Sequence, residues 1–537
     1  MSAAQARPQT APRADMNHRE ILEAMSGLLL GMFVAILSST VVSTSLPRIV
    51  SDLGGSQSSY TWVVTATLLA LTVSTPIWGK LSDLIDRKLL VQTALMVYIV
   101  GSVLAGLSHS MTWLIGCRVL QGLGAGGLTA LVQVIMSDLV SPRERGRYAG
   151  YLGAVFGLGT VAGPLLGGVI TDGIGWRWCF YVGVPFAAAA LVVLQRTLHL
   201  PPRRRKVALD YPGALLIAAG VSSILIWVSL AGQQFDWLSW QTAALVPGGL
   251  GLLIAAVLVE RRAAEPLIPL HLFRERTVVL AVIASVAVGI AMFGTTVFLS
   301  QYMQIARGRT PTESGLLTIP MMVGLFTASA LIGRRVTATG RYKAFMLAGA
   351  VSLTVGLGLM STLDETTSLV ELGVFMVLVG AGLGMLMQNL VLVVQNTVAQ
   401  SEIGAGSSLV AFFRSLGGAI GVSVLGALLA TKAQDSIAHG LAGAGVKMPA
   451  GSAGAVPDVE TLPPTVAHVV EHAYGSGIAE IFLIAAPLGL VALIAIALMR
   501  EVPLGTRSGL ELAQEPGQQP PADLAARRDH VNEEVAA

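Results

Sequence analysis

The chain has 537 residues, of which 53% are hydrophobic and only 12% charged. Soluble domains carry about 25% charged residues, so this composition excludes a water-soluble globule and points to a chain immersed in lipid. The net charge of +3 is too small to indicate a nucleic-acid partner, and no basic stripe with interleaved aromatics occurs. The two cysteines, Cys117 and Cys179, both lie in apolar segments, so no disulfide framework is indicated.

Residues 1–22 are polar and rich in Ala and Pro and are expected to be a disordered tail, as are residues 505–537. The first apolar run is too long for a cleavable signal peptide and lacks its cleavage motif. About 20 apolar residues span a bilayer as a helix. Fourteen segments qualify: roughly 24–47, 60–79, 89–108, 112–136, 148–171, 178–198, 212–232, 241–259, 277–300, 313–333, 344–362, 369–393, 405–430 and 478–499. An even count places both termini on one side. One set of loops holds nineteen Lys and Arg residues and the opposite set six, so the rich side is expected to be cytoplasmic.

The first segment contains ILSSTVVSTSLP, residues 36–47, in which Ser38 and Ser45 share a helix face and suit a cavity wall. The second and third segments are joined by Gly79, Asp83, Asp86, Arg87 and Lys88, an acid beside bases at a membrane rim. Such a cluster is either a breakable ion-pair latch or an ordinary charged loop that fixes topology. In the fourth segment Arg118 is expensive unless it faces a wet cavity or a partner. Gln121 is three residues on, and Gln133 returns to within about 60° of the same face. The alternative is a structural arginine held by backbone carbonyls.

The fifth segment holds GAVFGLGTVAGPLLGG, residues 153–168. Gly153 and Gly157, then Gly159, Gly163 and Gly167, recur every fourth residue and offer bare backbone to neighbouring helices. Pro164 leaves the carbonyl of Thr160 without its helical donor and permits a kink. Spacing alone leaves a general packing motif and a specialised one equally open.

The second-to-third connection has an echo. Gly333 precedes Arg341 by eight residues, as Gly79 precedes Arg87. This is the placement expected of duplicated six-helix halves with two extra helices between them, a 6+2+6 order. The expected units are 23–200, a linker pair at 201–265, and 266–504. The stretch 431–477 is rich in Gly, Ala and Pro, carries His439, His468 and His472 without metal-ligand spacing, and is expected to be a solvated external loop. The twelfth and thirteenth segments add Gln388, Asn389, Gln395, Asn396 and Arg414. Gln388 and Gln395 are seven apart and share a face, either lining a cavity for varied amphiphiles or joining helices by hydrogen bonds.

Several of these stretches resemble the fourteen-helix drug/proton antiporters of the major facilitator superfamily. Gly153, Gly163, Pro164, Gly167 and Gly168 match the antiporter signature of the fifth helix. Arg118, Gln121, Gly122 and Gly124 match R-x-x-Q-G-x-G, associated there with proton coupling. Thr40, Val41, Val42, Leu46 and Pro47 match the first-helix motif, but Ser38 stands where that family has an acid and Ser43 where it has Asn. Gly79, Asp83, Arg87 and Lys88 match its conformational latch, with Asp86 in place of a glycine. The resemblance spans nearly the whole membrane region. It implies an all-helical major facilitator fold and an exporter of hydrophobic or amphipathic compounds that rocks between two bundles.

A serine carries no proton at physiological pH, so the coupling group must lie elsewhere. Glu313 and then Asp83 are the expected substitutes, with Asp172 and Glu480 as further interfacial acids. No G-x-x-x-x-G-K-[ST] loop occurs, so no nucleotide cofactor is expected and an ion gradient remains as the driver. A dedicated exporter of one native metabolite is the second reading. A membrane enzyme such as a lipid-linked transferase would be expected to cluster catalytic carboxylates or His in sizeable loops or at the interface, and no such cluster appears; a sensor or scaffold without transport would not need the polar stripe inside the membrane. The expected setting is the plasma membrane, with both termini cytoplasmic and the chain acting as a monomer.

Overall fold

The structure is a computed structural model. It describes residues 18–504 except 55–56, 141, 199–209, 232–234, 264–265, 267–268, 310, 400–401 and 444–462. Sixteen α-helices account for the fourteen expected segments: α1 (His18–Asp52), α2 (Gln57–Leu84), α3 (Arg87–Gly106), α4 (Met111–Leu139), α5 (Pro142–Gly173), α6 (Trp178–Tyr181), α7 (Gly183–Thr197), α8 (Tyr211–Leu230), α9 (Trp240–Glu260), α10 (Arg276–Gln301), α11 (Pro311–Leu317), α12 (Ile319–Thr339), α13 (Lys343–Met360), α14 (Leu369–Thr397), α15 (Ile403–Gly443) and α16 (Pro464–Leu498). The sixth and tenth segments are each divided in two, as α6–α7 and α11–α12. Among the described residues, thirteen helical spans are long and apolar enough to cross a membrane. The seventh segment is the exception: its apolar run, Pro212–Val228, is 17 residues, at the short limit for crossing.

Packing sorts the helices into two groups. One large core cluster runs from Leu272 to Leu504, while residues between Ile21 and Leu198 form three separate clusters. A small cluster joins Ile217, Val221, Leu225 and Ala256 of α8 and α9 to Val73 of α2 and Phe412 of α15. The pair α8–α9 therefore rests on one helix from each group.

Glycine explains how closely the helices approach, and the every-fourth-residue pattern in α5 divides between two neighbours. A Cβ on Gly153 would touch Leu325, and one on Gly157 would collide with Phe326 of α12 in the other group. A Cβ on Gly159 would fall 2.9 Å from Ile36, and one on Gly163 would collide with Thr40, both on α1. Thr40 Oγ1 also donates to the carbonyl of Gly159 at 3.0 Å. The Gly167 carbonyl accepts from Ser45 at 3.5 Å. The helix is continuous through residues 164 and 168.

Three expectations on loops and tails change. Helix α1 starts at His18, inside the stretch expected to be a tail up to residue 22. The segment 431–477 is helical at both ends, since α15 continues to Gly443 and α16 begins at Pro464. Its Gly-Ala composition reads as loop only in isolation. Here the small Gly440 lets α15 approach Val469 of α16, and Val470 and Ala473 are buried. Asp86 needs no glycine-like geometry: its φ is −55°, and its carboxylate caps α3 by accepting from Lys88 N at 2.9 Å. At the matching position of the second half, Gly340 does adopt a left-handed φ of +70°.

Filling the α1–α5 contact tests this packing. Gly163→Val should lower the apparent melting temperature of the purified protein, since overpacking costs about 1–3 kcal/mol. Gly116→Ala, where an added Cβ meets nothing within 4 Å, should not. Equal melting curves for both variants would reject the close approach.

Candidate functional site

Three polar clusters interrupt the apolar interior. The first is a latch at the Lys/Arg-rich rim, built where α2 ends and α15 begins. The first turn of a helix leaves N–H groups without intrahelical acceptors. Asp83, the penultimate residue of α2, supplies acceptors for two of them: Oδ1 accepts from Gly404 N at 3.2 Å and Oδ2 from Ala405 N at 3.1 Å. A negative charge also suits the positive end of the α15 dipole. The approach depends on glycine on both sides. A Cβ on Gly79 would collide with Ser408, and one on Gly404 would lie 2.6 Å from the Gly79 carbonyl.

Arg87 stands behind this contact. It lies 3.6 Å from Asp83 Oδ1, donates to the Ser82 carbonyl at 2.9 Å and forms an ion pair with Asp138 near the end of α4. All three charged side chains are at most 6% exposed. The sequence reading brought Asp83 and Arg87 together but missed Asp138. Its signal was available: it is the acid that follows the fourth apolar segment at the same rim.

The second cluster lies within the first group. Arg118 Nη1 donates to Gln121 Oε1 at 2.8 Å, and Gln121 Nε2 donates to Ser102 Oγ of α3 at 2.8 Å. Arg118 Nε reaches the Val63 carbonyl of α2 at 3.5 Å. Both readings of Arg118 therefore find support, since it holds a polar partner and a backbone carbonyl. Ser38 Oγ and Tyr98 Oη are buried beside each other, Tyr98 also neighbouring Ser102, with no well-formed hydrogen bond to either atom among the described residues. Ser45 is buried and bonds Thr171 Oγ1 at 2.6 Å and Cys179 Sγ at 3.1 Å, between α1, α5 and α6.

The third cluster crosses between the groups. Gln133 Nε2 of α4 donates to Gln388 Oε1 of α14 at 3.2 Å. Gln395, one face-repeat further along α14, donates to the Gln133 carbonyl at 3.4 Å and to Ser407 Oγ at 2.8 Å. The seven-residue spacing thus aims both amides at α4. Arg414 of α15 is 8% exposed and donates to the Met387 carbonyl beside Gln388, at 3.5 Å.

Glu313 is exposed in α11, away from these clusters, although it has a partner. Lys432 and Glu480 pair with each other at 3.0 Å. The side chain of Asp172 lies outside the described residues. Among the described residues, no group of His, Cys, Asp or Glu is arranged to hold a metal ion.

Two bundles meet in a charged cluster and an amide seam, with small-residue crossings between them. Residues 28–422 match the family model of the major facilitator superfamily. The chain belongs to that superfamily. It is 38% identical over 503 residues to an uncharacterized MFS-type transporter of Mycobacterium tuberculosis (strain ATCC 25618 / H37Rv), covering 93% of this chain and 73% of that protein. It is 35% identical to the multidrug transporter protein MdtP of Bacillus subtilis (strain 168), covering 75% and 74%. It is 32% identical to multidrug resistance protein 3 of the same organism, covering 86% and 91%. The structure of the proton:xylose symporter XylE superposes with a TM-score of 0.59 at 15% identity, covering 93% of this chain and all of that one, which shows the shared fold. The protein is thus a multi-pass membrane transporter of small molecules and not an enzyme.

Asp83→Asn should weaken the latch by about 1 kcal/mol, a roughly fivefold change in the ratio of closed to open forms. Spin-label distances between α2 and α15 at this rim should lengthen or broaden. Asp86→Asn, which retains a good cap within one half, should leave them as in the parent. Unchanged distances in Asp83→Asn would show that the latch carries no closing energy.

Proposed function

We propose that this superfamily member is a proton-coupled exporter that expels hydrophobic or amphipathic compounds by alternating access. The single observation that carries the reading is the junction of Asp83 with the start of α15. It is a polar contact between two separately packed bundles. A buried hydrophobic seam could not part at low cost, whereas a carboxylate that gains a proton loses its charge-assisted hold on the N–H groups. The names of the Bacillus subtilis relatives support export of varied compounds.

In this reading the Lys/Arg-rich rim is cytoplasmic, both termini lie in the cytoplasm and the protein acts as a monomer in the plasma membrane. No cofactor is required. One charge crossing 100 mV carries about 2.3 kcal/mol, enough for a roughly 50-fold gradient. Glu313 faces the outer medium as an entry group for protons, and Asp83 is the group whose protonation releases the latch. Arg118 and Gln121 form the polar relay in the first bundle. Gln133, Gln388 and Gln395 form the amide wall against which cargo rests.

Purified protein in sealed liposomes should move an amphipathic dye against its gradient when protons flow the other way, and stop when an uncoupler is added. Asp83→Asn should abolish the gradient-driven part while retaining dye exchange at equilibrium. Glu313→Gln should slow the driven part. Dye movement indifferent to the imposed proton gradient would defeat the proposal.

A further inference from the structure

Arg414 lies ten residues into the apolar stretch that begins near residue 405, far from both ends of the segment. A guanidinium there carries five N–H donors and a full charge. Its one hydrogen bond among the described residues, to the Met387 carbonyl, is long at 3.5 Å. None of the ion pairs among the described residues includes it.

The rest of the membrane interior offers no counter-charge. Across the fourteen apolar segments the only acids are Glu313, Glu371 and Glu480, each within the first three residues of its segment. The buried acids Asp83, Asp138 and Glu260 sit at or beyond segment ends. Arg118 is equally without a carboxylate, and Ser38 supplies only a hydroxyl in the first helix. The middle of the protein therefore holds two positive charges and no negative one. A buried cation without an anion is costly, so a site that keeps one is built for an anion that arrives from outside the chain.

The residues next to Arg414 along α15, and next to its acceptor along α14, add aromatic, thioether and amide groups to this region. Phe413, the next residue back, stacks edge-on with Phe412 at 5.1 Å and with Phe273 at 6.4 Å. Met387 supplies a partly buried, adaptable side chain. Gln388 lies next to the Met387 carbonyl and joins Gln133, whose own Oε1 is buried and unpartnered. A guanidinium offers a planar fork that matches a carboxylate, and the apolar body of the cargo follows from the export reading above.

We propose that Arg414 is the specificity-determining residue for cargo, and that the exported compounds are amphipathic monoanions, aromatic or aliphatic bodies bearing a carboxylate. The inference rests on the export reading above and narrows it to one charge class. It also fits the energetics, because an anion leaving a negatively charged interior moves down the electrical gradient.

The test uses matched compounds on the same aromatic bodies, naphthylacetate and pyrenebutyrate, each as the carboxylate, the primary amide and the corresponding primary amine. Binding to the full chain in nanodiscs and movement into or out of proteoliposomes are both read. The carboxylates should bind roughly ten- to hundredfold more tightly than their amides and amines. Arg414→Gln should remove that advantage while leaving amide binding at its parental level, and Arg414→Lys should retain part of it. Parental amide binding doubles as evidence that the variant is folded. Preference for the amines, or an equal fall in all three series in Arg414→Gln, would overturn the assignment. Movement of amines or amides alone sinks the inference and leaves the export reading standing. Movement of no compound at all would sink both.

Discussion

The helix dipole of α15 needs a negative charge at its start, and the chain supplies it from the other bundle. That single requirement organises the rim. Asp83 reaches across only because Gly79 and Gly404 leave the two backbones bare at the crossing. Arg87 then steadies Asp83 from behind, and Asp138 in turn neutralises Arg87. The result is a chain of alternating charges, almost wholly buried, whose outer carboxylate accepts from backbone N–H groups of the other bundle. Each link is a hydrogen bond or an ion pair, so charge contributes to holding this rim together.

Glycine plays the complementary part deeper in the membrane. Two faces of α5 carry it, and the structure assigns each face to one partner, α12 across the interface and α1 within the bundle. Lipid tails give helices no hydrophobic reason to associate, so close backbone approach and its dispersion energy must do so. The same small residues allow sliding, since a flat glycine track has no knobs to unlock. The amide seam of Gln133, Gln388 and Gln395 adds direction without charge.

Much of this was legible in the residues. Apolar length located fourteen helical segments, thirteen of them long enough to cross a membrane, and the seven-residue spacing of Gln388 and Gln395 placed both on one face, which here meets α4. The four-residue glycine rhythm in α5 announced close packing. What it could not announce was that the rhythm serves two different neighbours, because periodicity names a face and not its partner. Ser102, Tyr98 and Ser407 went unnoticed since a hydroxyl in an apolar helix has no repeating signature. Asp138 escaped because a charge just past a segment reads as rim. The helical reach of α15 and α16 was hidden by a Gly-Ala-Pro composition that favours loops, and it holds here through contacts between the two helices.

That reach has a geometric meaning. At 1.5 Å per residue, the 41 residues of α15 extend for about 60 Å, twice the thickness of the hydrocarbon layer. A rigid rod that projects so far past its pivot acts as a lever. A tilt of about 10° in the second bundle sweeps the far tip through roughly 5 Å, while the buried middle of the same helix scarcely shifts. The paired rods α15 and α16 would thus carry a tilt of the second bundle to the rim opposite the Lys/Arg-rich one.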